Sequence, residues 1–201
     1  MRTITPTPEE MSRRIVRLHS IAPQKANLET MAGIPARAIE AISAKTIYLY
    51  MAPEGLGGAN QNPGISGVAG LHVSVCRCPP GDGPALHSHE RTVETFMTLK
   101  GEFEFSWGDA GEHATRLAEF DMISMPPRVM RKFRNLGTED ALLLVLVQGD
   151  NRDVTSDIQL TPETGQKLAD EFGEDVRARI EQMGLHFNAE LGSREQPARN
   201  S

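Results

Sequence analysis

Strict alternation of apolar and polar residues marks the middle of the chain as β-structure. Leu71, Val73 and Val75 alternate with His72, Ser74 and Cys76, and Phe103, Phe105 and Trp107 alternate with Glu104 and Ser106. A period of two places like residues on one face of a strand. Further strands are predicted at Ile47 to Met51, Asp121 to Met125, Val129 to Asn135 and Ala141 to Gln148. The apolar run from Ala141 to Val147 fits a buried strand.

The two ends carry a helical period instead. Thr7-Pro8-Glu9-Glu10 combines a capping hydroxyl, a proline in the first turn and acidic residues, and Met11, Ile15 and Leu18 continue at helical spacing. After a break at Ala22-Pro23, a second helix is predicted from Pro35 to Ala44, with Ile39 and Ile42 on one face. Thr161-Pro162-Glu163 opens another helix, whose Leu168, Phe172, Val176, Ile180 and Met183 form an apolar stripe that Gly173 is positioned to kink. Glycines 55, 57, 58, 64, 67 and 70 predict a long loop, and the residues from Gly192 onward predict a disordered tail. The expected organisation is a helical arm and first strand over 1–52, a loop over 53–69, a β-domain over 70–150, a helical segment over 151–191 and a tail over 192–201.

Composition narrows the functional classes. Lys and Arg number 21 against 27 acidic residues, a formal net charge of −6, which disfavours a non-specific binder of nucleic acid. The segment from Leu28 to Ile34 carries a faint helix-turn-helix flavour, but only two helices are readable around it. The arm is therefore expected to pack on the β-domain or on a partner subunit, and a homodimer using the N-terminal segment or the C-terminal stripe is the expected assembly. No basic start followed by an apolar core stands at the N-terminus, and the longest apolar run is far too short to span a bilayer, so a cytoplasmic protein without membrane contact is expected. Cys76 and Cys78 are separated by one residue, and in an extended strand their Cα atoms lie roughly 6.5–7 Å apart, which does not favour a disulfide between them.

The chemistry gathers between Gly81 and Gly101. His87 and His89 are separated by one residue, so on a strand both imidazoles point the same way. Glu94 follows where a turn or bulge brings its carboxylate to the same place. Two nitrogens and one carboxylate oxygen form a 2-His-1-carboxylate set that borderline divalent metals accept. The spacing G-x5-H-x-H-x4-E-x6-G, carried by Gly81, His87, His89, Glu94 and Gly101, resembles the first motif of the cupin superfamily at all five positions. The segment from Phe120 to Asn135 resembles the second motif, G-x5-P-x-G-x2-H-x3-N, with Pro126 and Asn135 in register. Phe120 and Arg128 stand at its two glycine positions, and Arg131 stands where the family has a fourth, histidine ligand.

The resemblance covers about residues 70 to 150 and implies a mainly β fold, the cupin-type double-stranded β-helix or jelly-roll barrel, here with N- and C-terminal helices. It implies a divalent ion, iron(II), zinc or manganese, on His87, His89 and Glu94. Period two places Arg131 and Phe133 on one face, which in the family's register looks into the barrel, so these two are the expected substrate-binding residues. A guanidinium has no lone pair to offer a metal, and at ~6 Å and an effective dielectric near 20 it repels a dication by on the order of 5 kcal/mol. Arg131 is therefore expected to dock a small carboxylate substrate. The function expected is a metal-binding, oxygenase-like cupin, in the manner of a metal-dependent dioxygenase or isomerase. The alternative is a non-catalytic small-molecule-binding or regulatory cupin without a working metal site. His113 is a further, weaker candidate ligand.

Overall fold

The computed structural model describes residues 1–54, 63–150 and 156–192. Short helices α1 (Pro8–Ser12), α2 (Gln24–Ala32) and α3 (Ala36–Glu40) lead into strand β1 (Thr46–Pro53). Then follow β2 (Ile65–Gly67), β3 (Leu71–Cys78), β4 (His87–His89), β5 (Val93–Lys100), β6 (Phe103–Trp107), β7 (His113–Leu117), β8 (Met122–Met125), β9 (Arg131–Asn135) and β10 (Ala141–Gln148). β11 (Ile158–Leu160), α4 (Pro162–Phe172), α5 (Glu174–Gln182) and β12 (Leu185–His186) close the chain.

The strands form two six-stranded sheets, ordered β2-β1-β3-β10-β5-β8 and β12-β11-β4-β9-β6-β7. Every pairing is antiparallel except β1 with β2 and β11 with β12, which are parallel. This is the double-stranded β-helix that the alternation and the two motifs predict. The inner faces meet in one core, where Cys76, Phe96, Leu143 and Val145 of the first sheet pack on Phe103, Phe105 and Phe133 of the second. Cys76 and Cys78 are both free and buried in this core.

The two motif segments are joined through their backbones. Gly81, at φ 77, donates its N–H to the Asn135 carbonyl at 3.0 Å, and Asn135 N–H returns to Asp82 O at 3.0 Å. The Asn135 amide donates to Cys78 O and Glu139 O, both at 2.8 Å. Phe120 and Arg128, the residues standing at the second motif's glycine positions, are the positive-φ non-glycine residues among those described, at φ 70 and 63. The backbone keeps a glycine conformation where the sequence no longer has glycine, and each side chain bears the Cβ–carbonyl crowding that disfavours that region.

The helical ends differ in detail from the pattern. Thr7 and Glu10 form a reciprocal capping box, but α1 stops at Ser12 instead of continuing to Leu18, because no surface covers Met11 and Ile15 and both stay exposed. Helix α2 lies within a segment for which the pattern predicts no helix; no side chain caps its start, and Gly33 ends it at φ 61. Helix α3 is shorter than the predicted Pro35 to Ala44, although Ile39 and Ile42 are both buried. Gly173, at φ 97, separates α4 from α5 where a kink is expected.

The C-terminal stripe is covered within the chain. Leu168, Val176 and Ile180 pack with Leu28, Ile34, Ala38, Ile39 and Ile42 of the N-terminal arm in a second core. A homodimer therefore remains a proposal resting on the exposed N-terminal segment rather than on this stripe. Within the expected loop over 53–69, β2 pairs in parallel with β1, and residues 55–62 lie outside the described residues, as do 193–201 of the expected tail. Among the described residues no helix is long and apolar enough to cross a membrane.

Candidate metal centre

The site lies between the two sheets. β4 presents His87 and His89 from one sheet, and Glu94 enters from β5 in the other. The residues joining β4 to β5 thus cross between the sheets rather than turning back within one. Potential ligand atoms of His87, His89 and Glu94 all lie within 4.8 Å of one another, and all three residues are buried. His87 Nε2 is 3.9 Å and His89 Nε2 is 3.6 Å from Glu94 Oε2.

Hydrogen bonds at the far side of each ring fix the tautomers. His87 Nδ1 stands 2.8 Å from Ala85 O, which only accepts, so Nδ1 carries the proton. His89 Nδ1 stands 2.9 Å from Asp157 Oδ1 and 2.8 Å from Thr92 Oγ1. Burial raises the Asp157 carboxyl, but the His89 hydrogen bond and the Arg91 and Thr92 amides outweigh this and hold it at about 2. The ionised carboxylate accepts only, and His89 Nδ1 therefore donates. Burial lowers the His89 pKa, so its ring is neutral near pH 7 and Nε2 is a bare lone pair. That atom is buried and makes no hydrogen bond to any described residue.

Asp157 also organises the crossing segment. Its Oδ2 accepts the backbone N–H groups of Arg91 at 3.0 Å and Thr92 at 2.8 Å, and its carbonyl accepts Glu90 N–H at 3.0 Å. Thr92 Oγ1 completes the set by donating to Oδ1 at 3.1 Å. The residue that orients His89 thereby also sets the entry into β5, where Glu94 is the second residue. This is the arrangement by which outer hydrogen bonds aim metal ligands.

Arg131 opens β9 beside His87, with which it is paired across the sheet, and only 1% of it is exposed. Its Nε and Nη2 donate to Glu94 Oε2 at 3.1 and 2.9 Å, and Nη1 donates to Val129 O at 3.2 Å. Burial opposes ionisation of Glu94, but the Arg131 guanidinium held against it prevails and keeps the carboxyl far below its ordinary range. Arg131 faces inward as period two predicts, but its fork closes on Glu94 instead of presenting itself to a substrate. It is not among the residues lining the cavity beside the site.

That cavity has a volume of about 370 Å³. His72, His87, His89 and Glu94 line one part, and Phe133, Val145 and Val147 continue from it. Leu28, Ile39 and Ile42 wall it from the arm, and Ile158, Met183 and Leu185 from the C-terminal segment. Phe133, expected as a substrate contact, also packs against Phe96, Phe103 and Phe105. His113 sits on the exposed strand β7 beside Trp107, outside the His87/His89/Glu94 cluster. The pattern singled out neither His72 nor Asp157 as site residues. His72 carried one signal, its place on the His72-Ser74-Cys76 face of β3, while Asp157 carried none.

Residues 74–147 match the family described as Cupin domain. Over this stretch the chain is similar to the cupin family, in keeping with its double-stranded β-helix. His72, Asp157 and the helices lie outside the matched residues. No curated protein matches the chain. Among solved structures, the cupin domain of Cnp3 from Schizosaccharomyces pombe is similar at 17% identity and a TM-score of 0.37, over 40% of this chain and 57% of that one. A protein with a double-stranded β-helix domain from Klebsiella pneumoniae is similar at 25% identity and a TM-score of 0.39, over 42% and 71% of the two chains. KdgF from Halomonas sp. is similar at 21% identity and a TM-score of 0.39, over 44% and 79%. The chain spans just over half the length of the Cnp3 chain. Similarity at this level carries no argument about activity.

Proposed function

We propose that the protein is a metal-dependent cupin acting on a small organic molecule bound in the cavity, with a divalent ion held by His87 Nε2, His89 Nε2 and the Glu94 carboxylate. One observation carries this reading. Both Nδ1 atoms face oxygen acceptors, so the two Nε2 atoms are the ones turned towards the Glu94 carboxylate, and that of His89 is a buried lone pair without a partner among the described residues. Electron-rich atoms gathered in a buried place ask for a cation. A divalent ion there would supply Lewis acidity or, as iron(II), a redox-active centre suited to oxygenase-like chemistry. The chain's own part is to aim the two rings through Ala85 O and Asp157, to hold Glu94 ionised through Arg131, and to seat the substrate against an apolar wall away from bulk water.

A second reading, a metal-free small-molecule binder, is favoured by the Arg131–Glu94 pair. The guanidinium already supplies the carboxylate with a cation at 2.9 Å. Metal uptake by the untagged full-length chain separates the two. After chelator treatment and dialysis, cobalt(II) should bind at one equivalent with the visible spectrum of a low-symmetry site, and His87→Ala and His89→Ala should abolish it. A wild-type chain that takes up none of cobalt(II), zinc, iron(II) or manganese would leave only the binder.

A further inference from the structure

We propose that His72 is the ligand anchor of the cavity, a neutral imidazole that hydrogen-bonds a hydroxyl group on an otherwise apolar small molecule such as a phenol. The inference rests on the cavity being the protein's working site, and it assigns a ligand class that the metal cluster does not specify.

His72 belongs to β3, in the same sheet as Glu94. It pairs with Val147 of β10, and Val147 pairs in turn with Glu94, so His72 and Glu94 lie on one rung with a single small side chain between them. The His72 side chain lines the cavity and is 9% exposed, yet its Nδ1 is buried and makes no hydrogen bond to any described residue. An unmatched buried polar group costs stability, a penalty that folded proteins seldom retain without a use, and because Nδ1 is itself covered a ligand matches it once the ring turns to present it to the cavity. Other lining imidazoles have their Nδ1 matched, by Ala85 O at His87 and by Asp157 at His89. Burial also pushes the His72 ring down to about 4, against the opposing pull of Glu94. Near pH 7 the ring is therefore neutral, with one nitrogen that donates and one that accepts, which matches a hydroxyl's own donor and lone pairs.

The walls decide the rest of the ligand. Leu28, Ile39, Ile42, Phe133, Val145 and Val147 present hydrocarbon. The cations near the cavity are already engaged or lie at its rim. Arg131 is held by Glu94, Lys25 is paired with Glu40, and Lys45 is exposed. A carboxylate entering beside the ionised Glu94 would meet repulsion with no free buried cation among the described residues to offset it, whereas a hydroxyl would not. The volume of about 370 Å³ suits a small single-ring molecule, near the lower end of the range of about 300–1,000 Å³ for ligand pockets.

The test is calorimetric titration of the full-length chain with three probes of similar shape: 4-ethylphenol, 4-ethylanisole and 4-ethylbenzoate. Wild-type protein should bind the phenol about 10-fold or more tightly than the anisole, and the benzoate most weakly. His72→Phe should erase the phenol–anisole difference while cobalt(II) uptake stays level and the melting temperature does not fall. His72→Gln, which keeps a donor and an acceptor, should restore part of the difference and covers the case in which the Phe variant misfolds. A phenol preference that survives in His72→Phe overturns the anchor. A wild-type chain that prefers the benzoate, or binds none of the three, overturns the ligand class. A chain that shows the His72-dependent preference but takes up no metal would sustain this inference and defeat the metal centre.

Discussion

Replacing Arg131 by Met should raise affinity for a divalent metal while weakening the metal-free fold. In the metal-free protein the guanidinium and Glu94 form a buried pair, with Nε and Nη2 both on Oε2. Removing one partner of such a pair strands the other, which typically costs ~3–5 kcal/mol. Glu94 borders the cavity and can recover some hydration, which places the expected loss near the lower end of that range. With metal present the sign reverses. A dication and a guanidinium sharing one carboxylate repel by on the order of 5 kcal/mol at ~6 Å and an effective dielectric near 20. Relaxation of the site takes back part of this, so a gain of about 100-fold in affinity, or ~2.7 kcal/mol, is expected. Competition titration with a chromogenic chelator measures the affinity, and urea unfolding with and without zinc measures both terms in one protein. Arg131→His should go further, since it adds a ligand as well as removing a charge. Zinc affinity that is unchanged or lower in Arg131→Met would refute the reasoning, because it would mean that the guanidinium supports the ion through Glu94 more than it repels it.

Phe120→Gly and Arg128→Gly should each stabilise the fold by ~0.5–1 kcal/mol, the relief of ~1–2 kcal/mol of left-handed crowding less the glycine entropy of ~0.5–1 kcal/mol; a fall in melting temperature for both variants would show that the side chains do more than strain the turn. Asp157→Ala should lower cobalt(II) affinity by about 10- to 100-fold although Asp157 touches no metal position, because His89 loses its orienting partner and the crossing segment its anchor; unaltered affinity would rule out that positioning role. Acid should weaken the fold in two stages, read from urea midpoints between pH 7 and pH 2. His72 has a folded pKa of about 4, below its unfolded value of ~6.5, so the unfolded chain binds the proton first and stability falls by up to ~3 kcal/mol as pH drops across that window. Asp157 has a folded pKa of about 2, below its unfolded value of ~3.9, so its contribution of ~2 kcal/mol is complete above that value and is lost as pH falls towards 2. His72→Phe should flatten the first stage and leave the second; an unchanged midpoint profile in that variant would contradict the assignment.

The legible parts of the chain are those set by local backbone rules. Alternation marks several strands of the barrel but not β7, where His113 reads as a loop residue, and the spacing of Gly81, His87, His89, Glu94 and Gly101 marks the candidate donor set, because a strand period and a turn leave marks at fixed offsets. Period two also gave the inward face of Arg131. It could not give Arg131's partner, since Glu94 arrives from the facing sheet and alternation names a face but not what lies across from it. The same gap hid His72, whose face was visible and whose neighbours were not. Asp157 precedes a strand of three residues and acts 65 to 68 positions away in sequence, on Thr92 and His89, a relation that no local pattern records. Helix α2 leaves no local mark for a different reason, since it has neither a side-chain cap nor a clear stripe and is held against β1 and α3, with Leu28 in the second core.

The segments outside the matched domain are part of the site and not appendages to it. β11 pairs with β4 through His89 to Ile158 and His87 to Leu160, so the histidine strand is flanked by β9 on one side and by the C-terminal segment on the other. Asp157 stands at the start of that strand, and the pairing that lays β11 beside β4 is also what brings its carboxylate to His89. The cavity has the same dependence. Its histidines and Glu94 come from the sheets, but Leu28, Ile39 and Ile42 of the arm and Met183 and Leu185 of the C-terminus supply its far wall, and these two ends are held together by their own core of Ile34, Leu168 and Ile180. Ligand donors are therefore a property of the barrel, whereas the tautomer of His89, the depth of the cavity and its apolar character are properties of the whole chain. A change in the contact between arm and C-terminal helices alters the volume offered to a ligand without touching any residue of the two motifs, so within this architecture ligand choice can vary while the donor set stays constant.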